Sequence, residues 1–215
     1  MSRTGARISI ASWVAAAALA ATAAAGPAAA RPVQATITSA DDLRTLHLVA
    51  DCLASRYERS VRKLLAMDFR GPAYDDALRT LTRMGASCTP FAFGRLRSAR
   101  VLVVGAFAEE LLPEALDGAR LADRVAYDPS KPALAARDDG EYLGLCAVRQ
   151  MPDEVAGLLA TKPASDEERL AMGKIRPNLA SCVRAGAAAR VNLAGLRALL
   201  ALAAYRIVSQ AGAAE

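Results

Sequence analysis

Residues 52–88 decide the fold, and they read CLASRYERSVRKLLAMDFRGPAYDDALRTLTRMGASC, with a cysteine at each end. A second stretch of the same length, 146–182, reads CAVRQMPDEVAGLLATKPASDEERLAMGKIRPNLASC. In both stretches the cysteines are 36 residues apart, and the second pair follows the first at an offset of 94 residues (146 − 52). Equal spacing can arise by chance, so the other residues decide whether the two stretches are related.

Further residues agree at the same offset, and no gap is needed to align them. The identities are Val61 with Val155, Leu64-Leu65-Ala66 with Leu158-Leu159-Ala160, Ala77 with Ala171, Ser87-Cys88 with Ser181-Cys182, and Leu102 with Leu196. A period this long indicates two copies of a small domain and not an array of many short repeats. The sequence therefore predicts a tandem duplication, with a first repeat over 36–112, a linker over 113–140 and a second repeat over 141–210.

The four cysteines allow three pairings. The duplication favours Cys52 with Cys88 and Cys146 with Cys182, because each copy once had to be closed by its own cysteines. An oxidising compartment outside the cytosol favours formation of both bonds. Four buried free thiols are the alternative. A zinc site is disfavoured because neither pair has the C-x₂-C spacing.

The N-terminus has the order of parts of a secretory signal peptide over 1–30. Arg3 and Arg7 give a positive start, an apolar alanine-rich stretch follows, and cleavage after Ala30 would leave alanine at the −1 and −3 positions. Cleavage after Ala25 or Ala35 is the alternative. The alternative is an uncleaved anchor, since the apolar stretch is long enough to span a bilayer. We expect the mature chain in the periplasm or secreted, with no stable membrane span after cleavage.

The composition favours close-packed helices over a β-sandwich. Hydrophobic residues make up 53% of the chain but aromatic residues only 5%, so the core must consist mainly of Ala, Leu and Val. The formal net charge is +5, and two of those charges belong to the predicted signal peptide. A mildly basic surface of mixed sign gives no reason to expect a nucleic-acid partner.

Apolar residues recur at helical spacing in both copies and predict an all-α fold, a tandem duplication of a small bundle of about five short helices with one disulfide per copy. Ser39 precedes two aspartates and predicts a helix start. Ser165 and Glu168 have the spacing of a capping box. The linker is expected to hold one short helix around Ala115–Val125.

Two predictions concern the last helix of each copy. Pro113 is expected to end the first copy's last helix, and Asn192 is expected to cap the second copy's last helix. The segment Leu193–Val208 is the most apolar of the mature chain. Arg197 and Arg206 interrupt it, and it falls short of a comfortable bilayer span. A buried central helix is therefore favoured over a helix that lies on a membrane.

Candidate sites for chemistry are weak. His47 is the single histidine, and although its pKa range suits a general base, no second histidine exists to join it in a metal site. It is interpreted as a lone surface or boundary residue. Adjacent carboxylates occur at Asp41-Asp42, Asp75-Asp76, Glu109-Glu110 and Asp138-Asp139. Neighbours on a helix point in different directions, so these pairs are interpreted as helix starts or solvated faces.

Two basic segments are interpreted as solvated helix faces, with phosphate contact as the alternative. They comprise Arg56, Arg59, Arg62 and Lys63, and then Arg95, Arg97 and Arg100. The sequence assigns no catalytic, cofactor-binding or metal-binding residue. The assigned site residues are the four cysteines, Cys52, Cys88, Cys146 and Cys182, and no cofactor is expected.

The leader, the two cysteine-bearing helical repeats and the segment 192–200, NLAGLRALL, give the chain a family resemblance. It resembles a loose group of uncharacterised exported proteins of alphaproteobacteria. The resemblance covers most of the mature chain and implies export and the repeated helical plan. The group brings no activity with it, so no functional residue is carried over.

These observations predict a non-enzymatic exported helical protein that acts as a binding module for a protein or another envelope component, through a surface shared between the two copies. Two alternatives stay open. One is an envelope hydrolase that uses carboxylates brought together between the repeats. The other is a peripheral membrane-surface protein that uses the basic segments and the last helix.

Overall fold

A computed structural model describes residues 39–88, 100–126, 134–187 and 191–212. The predicted signal peptide over 1–30 and the basic residues Arg95 and Arg97 lie outside the described residues. All regular structure in the described ranges is helical, as the apolar periodicity predicts.

The described chain forms α-helices and two short 3₁₀ helices. They are α1 (Ala40–Arg56), α2 (Glu58–Ala66), α3 (Pro72–Met84), a first 3₁₀ helix (Gly85–Ser87), α4 (Arg100–Leu116), α5 (Leu121–Val125), α6 (Asp139–Gln150), α7 (Pro152–Leu159), α8 (Asp166–Ile175), a second 3₁₀ helix (Arg176–Cys182) and α9 (Leu193–Gly212). At the offset of 94 residues, α7 and α8 begin at the same positions as α2 and α3, and α9 begins one residue before the counterpart of the α4 start.

Pro152 stands at the first position of α7, where its missing N–H costs no helical hydrogen bond. Three predicted caps are confirmed. The side chains of Ser39, Ser165 and Asn192 each accept a hydrogen bond from the backbone N–H three residues later, at 3.1, 3.1 and 2.8 Å. These bonds satisfy amide groups that have no partner inside the first turn of a helix.

The predicted end of the first copy's last helix is wrong. Pro113 lies inside α4, which continues to Leu116. A proline there removes one helical hydrogen bond, to the carbonyl of Glu109. The helix continues because Leu111 and Leu112 are buried and Leu116 packs against the same core, so tertiary packing outweighs the lost bond.

Both predicted disulfides are present. Cys52 in α1 is bonded to Cys88, which follows the first 3₁₀ helix, and the two Cα atoms are 5.8 Å apart. Cys146 in α6 is bonded to Cys182 at the end of the second 3₁₀ helix, with a Cα separation of 5.5 Å. Each bond therefore fastens an early helix to the short 3₁₀ element that follows two further helices.

The helices α4 and α9 lie at the centre of the core and pack closely along each other. A Cβ atom on Gly105 of α4 would overlap with the backbone of Ala198 in α9, so only glycine permits this approach. Gly144 allows a similar approach of α6, because a Cβ there would lie 2.8 Å from the carbonyl oxygen of Leu199. Buried side chains from before and after residue 113 belong to one continuous hydrophobic core.

The helix α9 has 20 residues and ends four residues beyond the predicted Val208. Its segment Leu193–Gln210 is long and apolar enough to cross a bilayer, which corrects the expectation that it falls short of one. However, 61% of that segment is buried inside the protein, as is usual for a central core helix. This burial agrees with the predicted central position of the helix.

Candidate functional site

Arg197 is the centre of a buried polar junction among four helices. It projects from α9 and is only 3% exposed, although its neighbours on that helix are apolar. A buried guanidinium is tolerated only when its charge is paired and its N–H groups are bonded. The junction shows how both conditions are met.

Two carboxylates neutralise Arg197. Its Nε donates to Glu109 Oε2 of α4 at 2.9 Å and its Nη2 donates to Glu109 Oε1, so this pair is bidentate. Its Nη1 donates to Glu168 Oε1 of α8 at 3.2 Å. Burial by itself lowers the pKa of Arg197, but the two carboxylates outweigh that effect and raise the pKa above its ordinary value.

Helix ends supply the remaining acceptors. The carbonyl oxygens of Leu158 and Thr161, where α7 ends, accept from Arg197 at 3.2 and 2.8 Å. The C-terminal end of a helix carries partial negative charge and favours a cation. Glu168 belongs to the first turn of α8, where its Oε2 accepts from the N–H of Ala164 at 2.6 Å. The junction therefore joins the end of α7 and the start of α8 to α9.

A second arginine of α9 repeats this arrangement. Arg206 is paired with Glu141, which is 5% exposed and lies in the first turn of α6. The Oε2 atom of Glu141 accepts from the backbone N–H of Arg137 at 2.6 Å. Burial lowers the pKa of Arg206 to about 10, which still leaves the side chain charged at neutral pH. In both places, a first-turn glutamate binds a backbone amide with one oxygen and an arginine of α9 with the other.

His47 lies beside the first junction, on the face of α1 that meets α4. Its Nδ1 atom is 3.9 Å from Oε1 of Glu110, and both side chains are partly buried. Burial, together with the nearby charges of Asp51 and Glu109, raises the pKa of Glu110 to about 7. Burial lowers the pKa of His47. The interpretation of His47 as a boundary residue fits its position, but its acidic neighbour was not foreseen.

The space within this junction is small. His47, Glu109, Glu168 and Arg197 line a cavity of about 10 Å³ together with apolar side chains. That volume holds about one water molecule. The carboxylates of both halves do converge here, but no room exists for a sugar ring or a peptide.

Carboxylates that are adjacent in the sequence contact different partners in the structure. Glu109 is bound to Arg197 while Glu110 faces His47, since neighbours on a helix point apart. Asp138 caps α6 by accepting from the N–H of Glu141 at 2.7 Å. Among the described residues, no group of three or more possible ligands is placed to hold a metal ion.

Only part of the first basic segment is engaged in ion pairs with other described residues. Arg62 is paired with Glu58 at 2.6 Å and with Glu114 at 2.7 Å. Arg59 and Lys63 are exposed, and neither forms an ion pair with another described residue. In the second segment, Arg100 is paired with Asp75.

An open groove lies between α7 and α8. It has a volume of about 510 Å³, and its lining includes Gly157, Ala171 and Leu170. Leu170 is 73% exposed and presents an apolar surface to the groove. Nothing lies within 4 Å of the position where a Cβ of Gly157 would be, so the missing side chain helps to keep the groove open.

The sides of this groove are predominantly acidic. Asp153, Glu154 and Glu167 line it, and Lys174 is its one cation. None of the three carboxylates forms an ion pair with another described residue. Acids are favoured in the first turn of a helix, which accounts for their presence, but it leaves their charge available to a partner.

The fold and the site together define a disulfide-stabilised all-α protein with a closed polar interior and an open acidic groove. No protein-family model matches the chain, and neither a curated protein nor a solved structure is detectably similar to it.

Proposed function

We propose that the protein is an exported, non-enzymatic binding protein that receives a cationic segment of a partner polypeptide in the groove between α7 and α8. The observation that carries this proposal is the groove itself, about 510 Å³ in volume, with unpaired carboxylates around an exposed leucine. Ligand sites of soluble proteins commonly fall in this range of volume.

The charge of the groove favours a cationic occupant. Three carboxylates against one lysine give a surplus of negative charge at neutral pH. Charge complementarity of this kind raises association rates and selects against anionic partners. Leu170 adds an apolar contact, so the expected segment combines basic residues with at least one apolar side chain.

Export is supported by the two disulfides. Structural disulfides persist in the periplasm and outside the cell but are rare in a reducing cytosol. Together with the leader over 1–30 and the resemblance to exported proteins, they favour a periplasmic or secreted protein. Mass spectrometry of the protein secreted or released from the envelope would give the mature N-terminus and the oxidation state of the cysteines.

We also propose that the chain arose by tandem duplication. The support is the agreement of α2 with α7 and of α3 with α8 at the offset of 94 residues, together with two disulfides of equal spacing. The open groove belongs to the second copy, so the proposed binding surface is not shared between the copies.

A hydrolase that acts at the converging carboxylates is less well supported. Arg197 neutralises Glu109 and Glu168 through direct hydrogen bonds, and the adjoining cavity has room for about one water molecule. Glycosidases instead leave two carboxylates free on either side of the bond that is cleaved.

A direct test uses two synthetic helical peptides of equal length, one of Lys and Leu and the other of Glu and Leu. We expect the purified mature protein to bind the Lys/Leu peptide, with an affinity that falls as salt rises. The double variant Glu154→Lys/Glu167→Lys should reduce that affinity at least about tenfold, since two attractive charges become repulsive.

The matched control is Asp42→Lys, which reverses another exposed first-turn acid, in α1. It should bind the Lys/Leu peptide as the native chain does. Equal binding of both peptides, or undiminished binding by the double variant, would overturn the proposed partner chemistry. Binding to anionic lipid vesicles but not to the peptide would favour the membrane-surface alternative instead.

A further inference from the structure

The contact between α1 and α4 contains the one histidine of the chain. The Nδ1 atom of His47 is 3.9 Å from Oε1 of Glu110, and the two side chains are 15% and 29% exposed. This distance is too long for a direct hydrogen bond, but it lies within the range of an ion pair. Two titratable groups therefore meet where solvent is partly excluded.

Negative charge is in excess around this contact. Asp51 of α1 and Glu109 of α4 act on Glu110, while Glu168 of α8 acts on His47. Arg197 of α9 is the one guanidinium that acts on both groups, and its donors are already bound to Glu109 and Glu168. Among the described residues, His47 is the only basic group within ion-pair distance of Glu110.

We propose that His47 and Glu110 hold a single proton at the contact between α1 and α4, and that this proton makes the packing of α1 depend on pH. The geometry supports this because an ionised Glu110 would be repelled by the charges of Glu109 and Asp51, and His47 is the described basic group within ion-pair distance of it. The proton removes that repulsion. This inference does not depend on the proposed partner of the groove.

The two groups affect stability in opposite directions. The pKa of Glu110 rises from 4.5 to about 7 on folding, so its stabilising contribution is complete below pH 4.5 and is lost as the pH rises through 7. The pKa of His47 falls below 6.5 on folding, so its contribution is present above pH 6.5 and is lost as the pH decreases. Below pH 6.5 the contributions of the two groups to stability change in opposite directions and offset each other. Above pH 6.5 the contribution of Glu110 determines how stability changes with pH.

Loss of the proton is expected to loosen the first part of α1. The covalent bond at Cys52 holds the helix near its C-terminal end, and residues 40–51 have no such bond. Repulsion at Glu110 is therefore expected to be relieved by displacement of the residues of α1 that precede this bond. The pair would respond to a change in pH outside the cytosol.

The test is equilibrium unfolding of the mature protein at intervals between pH 5 and 8 for three chains. The native chain should be most stable in mild acid and lose stability towards pH 8. Glu110→Gln keeps only the effect of His47 and should gain stability from pH 5 to 7. His47→Gln keeps only the effect of Glu110 and should lose stability over the whole range. Each proton changes the unfolding equilibrium by up to about tenfold per pH unit.

Amide hydrogen exchange identifies which helix loosens when the proton is lost. After correction for the intrinsic exchange rate, amides of residues 43–51 should lose protection between pH 6 and 8 in the native chain, but amides of α6 should not. The control Asp76→Asn removes an exposed carboxylate of α3, outside this contact and outside the groove, and should keep the native pH profile. A Glu110→Gln profile equal to the native one, or equal loss of protection in α1 and α6, would overturn the proposal.

Discussion

Helices α2, α3 and α4 of the first half begin at nearly the same positions as α7, α8 and α9 of the second half, but the interior chemistry of the two halves differs. At the offset of 94 residues, Arg197 and Arg206 of α9 correspond to Val103 and Leu112 of α4, which are buried and apolar. Likewise, Glu168 corresponds to Tyr74, which is buried in α3. The first half fills these positions with apolar or aromatic side chains, whereas the second half fills them with ion pairs.

This difference shows what allows a charge into a close-packed helical core. The arginines of α9 are accommodated because first-turn glutamates of α6 and α8 face them, and because α7 ends at Arg197. A buried ion pair contributes little net stability over an apolar contact, but the loss of one partner is costly. The halves should therefore respond differently to substitution.

The largest effects are expected from the disulfides. The variants Cys52→Ala/Cys88→Ala and Cys146→Ala/Cys182→Ala should each lower the free energy of unfolding by about 4 kcal/mol, because the closed loops have equal length. Removal of the second disulfide should lower the free energy of unfolding slightly more than removal of the first, since Cys182 is fully buried while Cys88 is only partly buried. Urea denaturation of each variant measures the difference, and an undiminished midpoint for either pair would contradict the expectation.

Arg197→Val gives the second half the residue type that Val103 has at the corresponding position of the first half. It leaves Glu109 and Glu168 buried without their cation, so we expect a loss of about 3 kcal/mol or more at pH 7. The triple variant Arg197→Val/Glu168→Tyr/Glu109→Ala removes all three charges and should recover at least half of that loss. Urea denaturation compares the two, and a triple variant less stable than the single one would show that the halves are not interchangeable here.

Gly105→Ala tests the closest contact between the two central helices. The added Cβ would overlap with the backbone of Ala198, which cannot move aside as a flexible side chain could, and we expect a loss of about 2 kcal/mol. Gly157→Ala is the matched control, because the space around that helical glycine is open. It should stabilise the protein by about 0.5 kcal/mol. Thermal denaturation measures both, and equal effects would refute the role assigned to Gly105.

The smallest effects concern helix caps. Ser165→Ala removes the cap of α8 and should cost about 1 kcal/mol. The corresponding residue before α3 is Gly71, whose backbone is extended and makes no side-chain cap. Gly71→Ser should gain a few tenths of a kcal/mol. Chemical denaturation of the two variants checks both signs, and a stabilising Ser165→Ala would contradict this account of the cap.

Local signals in the sequence were sufficient for much of the fold. The caps at Ser165 and Asn192 follow from short spacings, and the pairing of the cysteines follows from the repeat at an offset of 94 residues. All of these are found in the structure. The end of α4 was missed because a proline rule describes only local bonds, while Leu111 and Leu112 hold that turn by packing. The apolar pattern also gave no exact end for α9.

The polar junction was harder to foresee. Arg197 and Arg206 were recognised only as interruptions of an apolar helix. A charged residue on the buried face of such a helix needs an acid partner, and that requirement was the available signal. The partner Glu109 is 88 residues away from Arg197, so no local pattern connects them. The groove depends on two helices and on the absence of a side chain at Gly157, and it was not predicted.

The sequence by itself determined the helical class, the helix starts and the equal spacing of the cysteines, because these depend on neighbours a few residues apart or on a repeat visible as text. Only the tertiary structure decided which carboxylate neutralises which arginine, which acid faces His47 and where the surface stays open. Those outcomes depend on side chains that become neighbours only after the helices have packed.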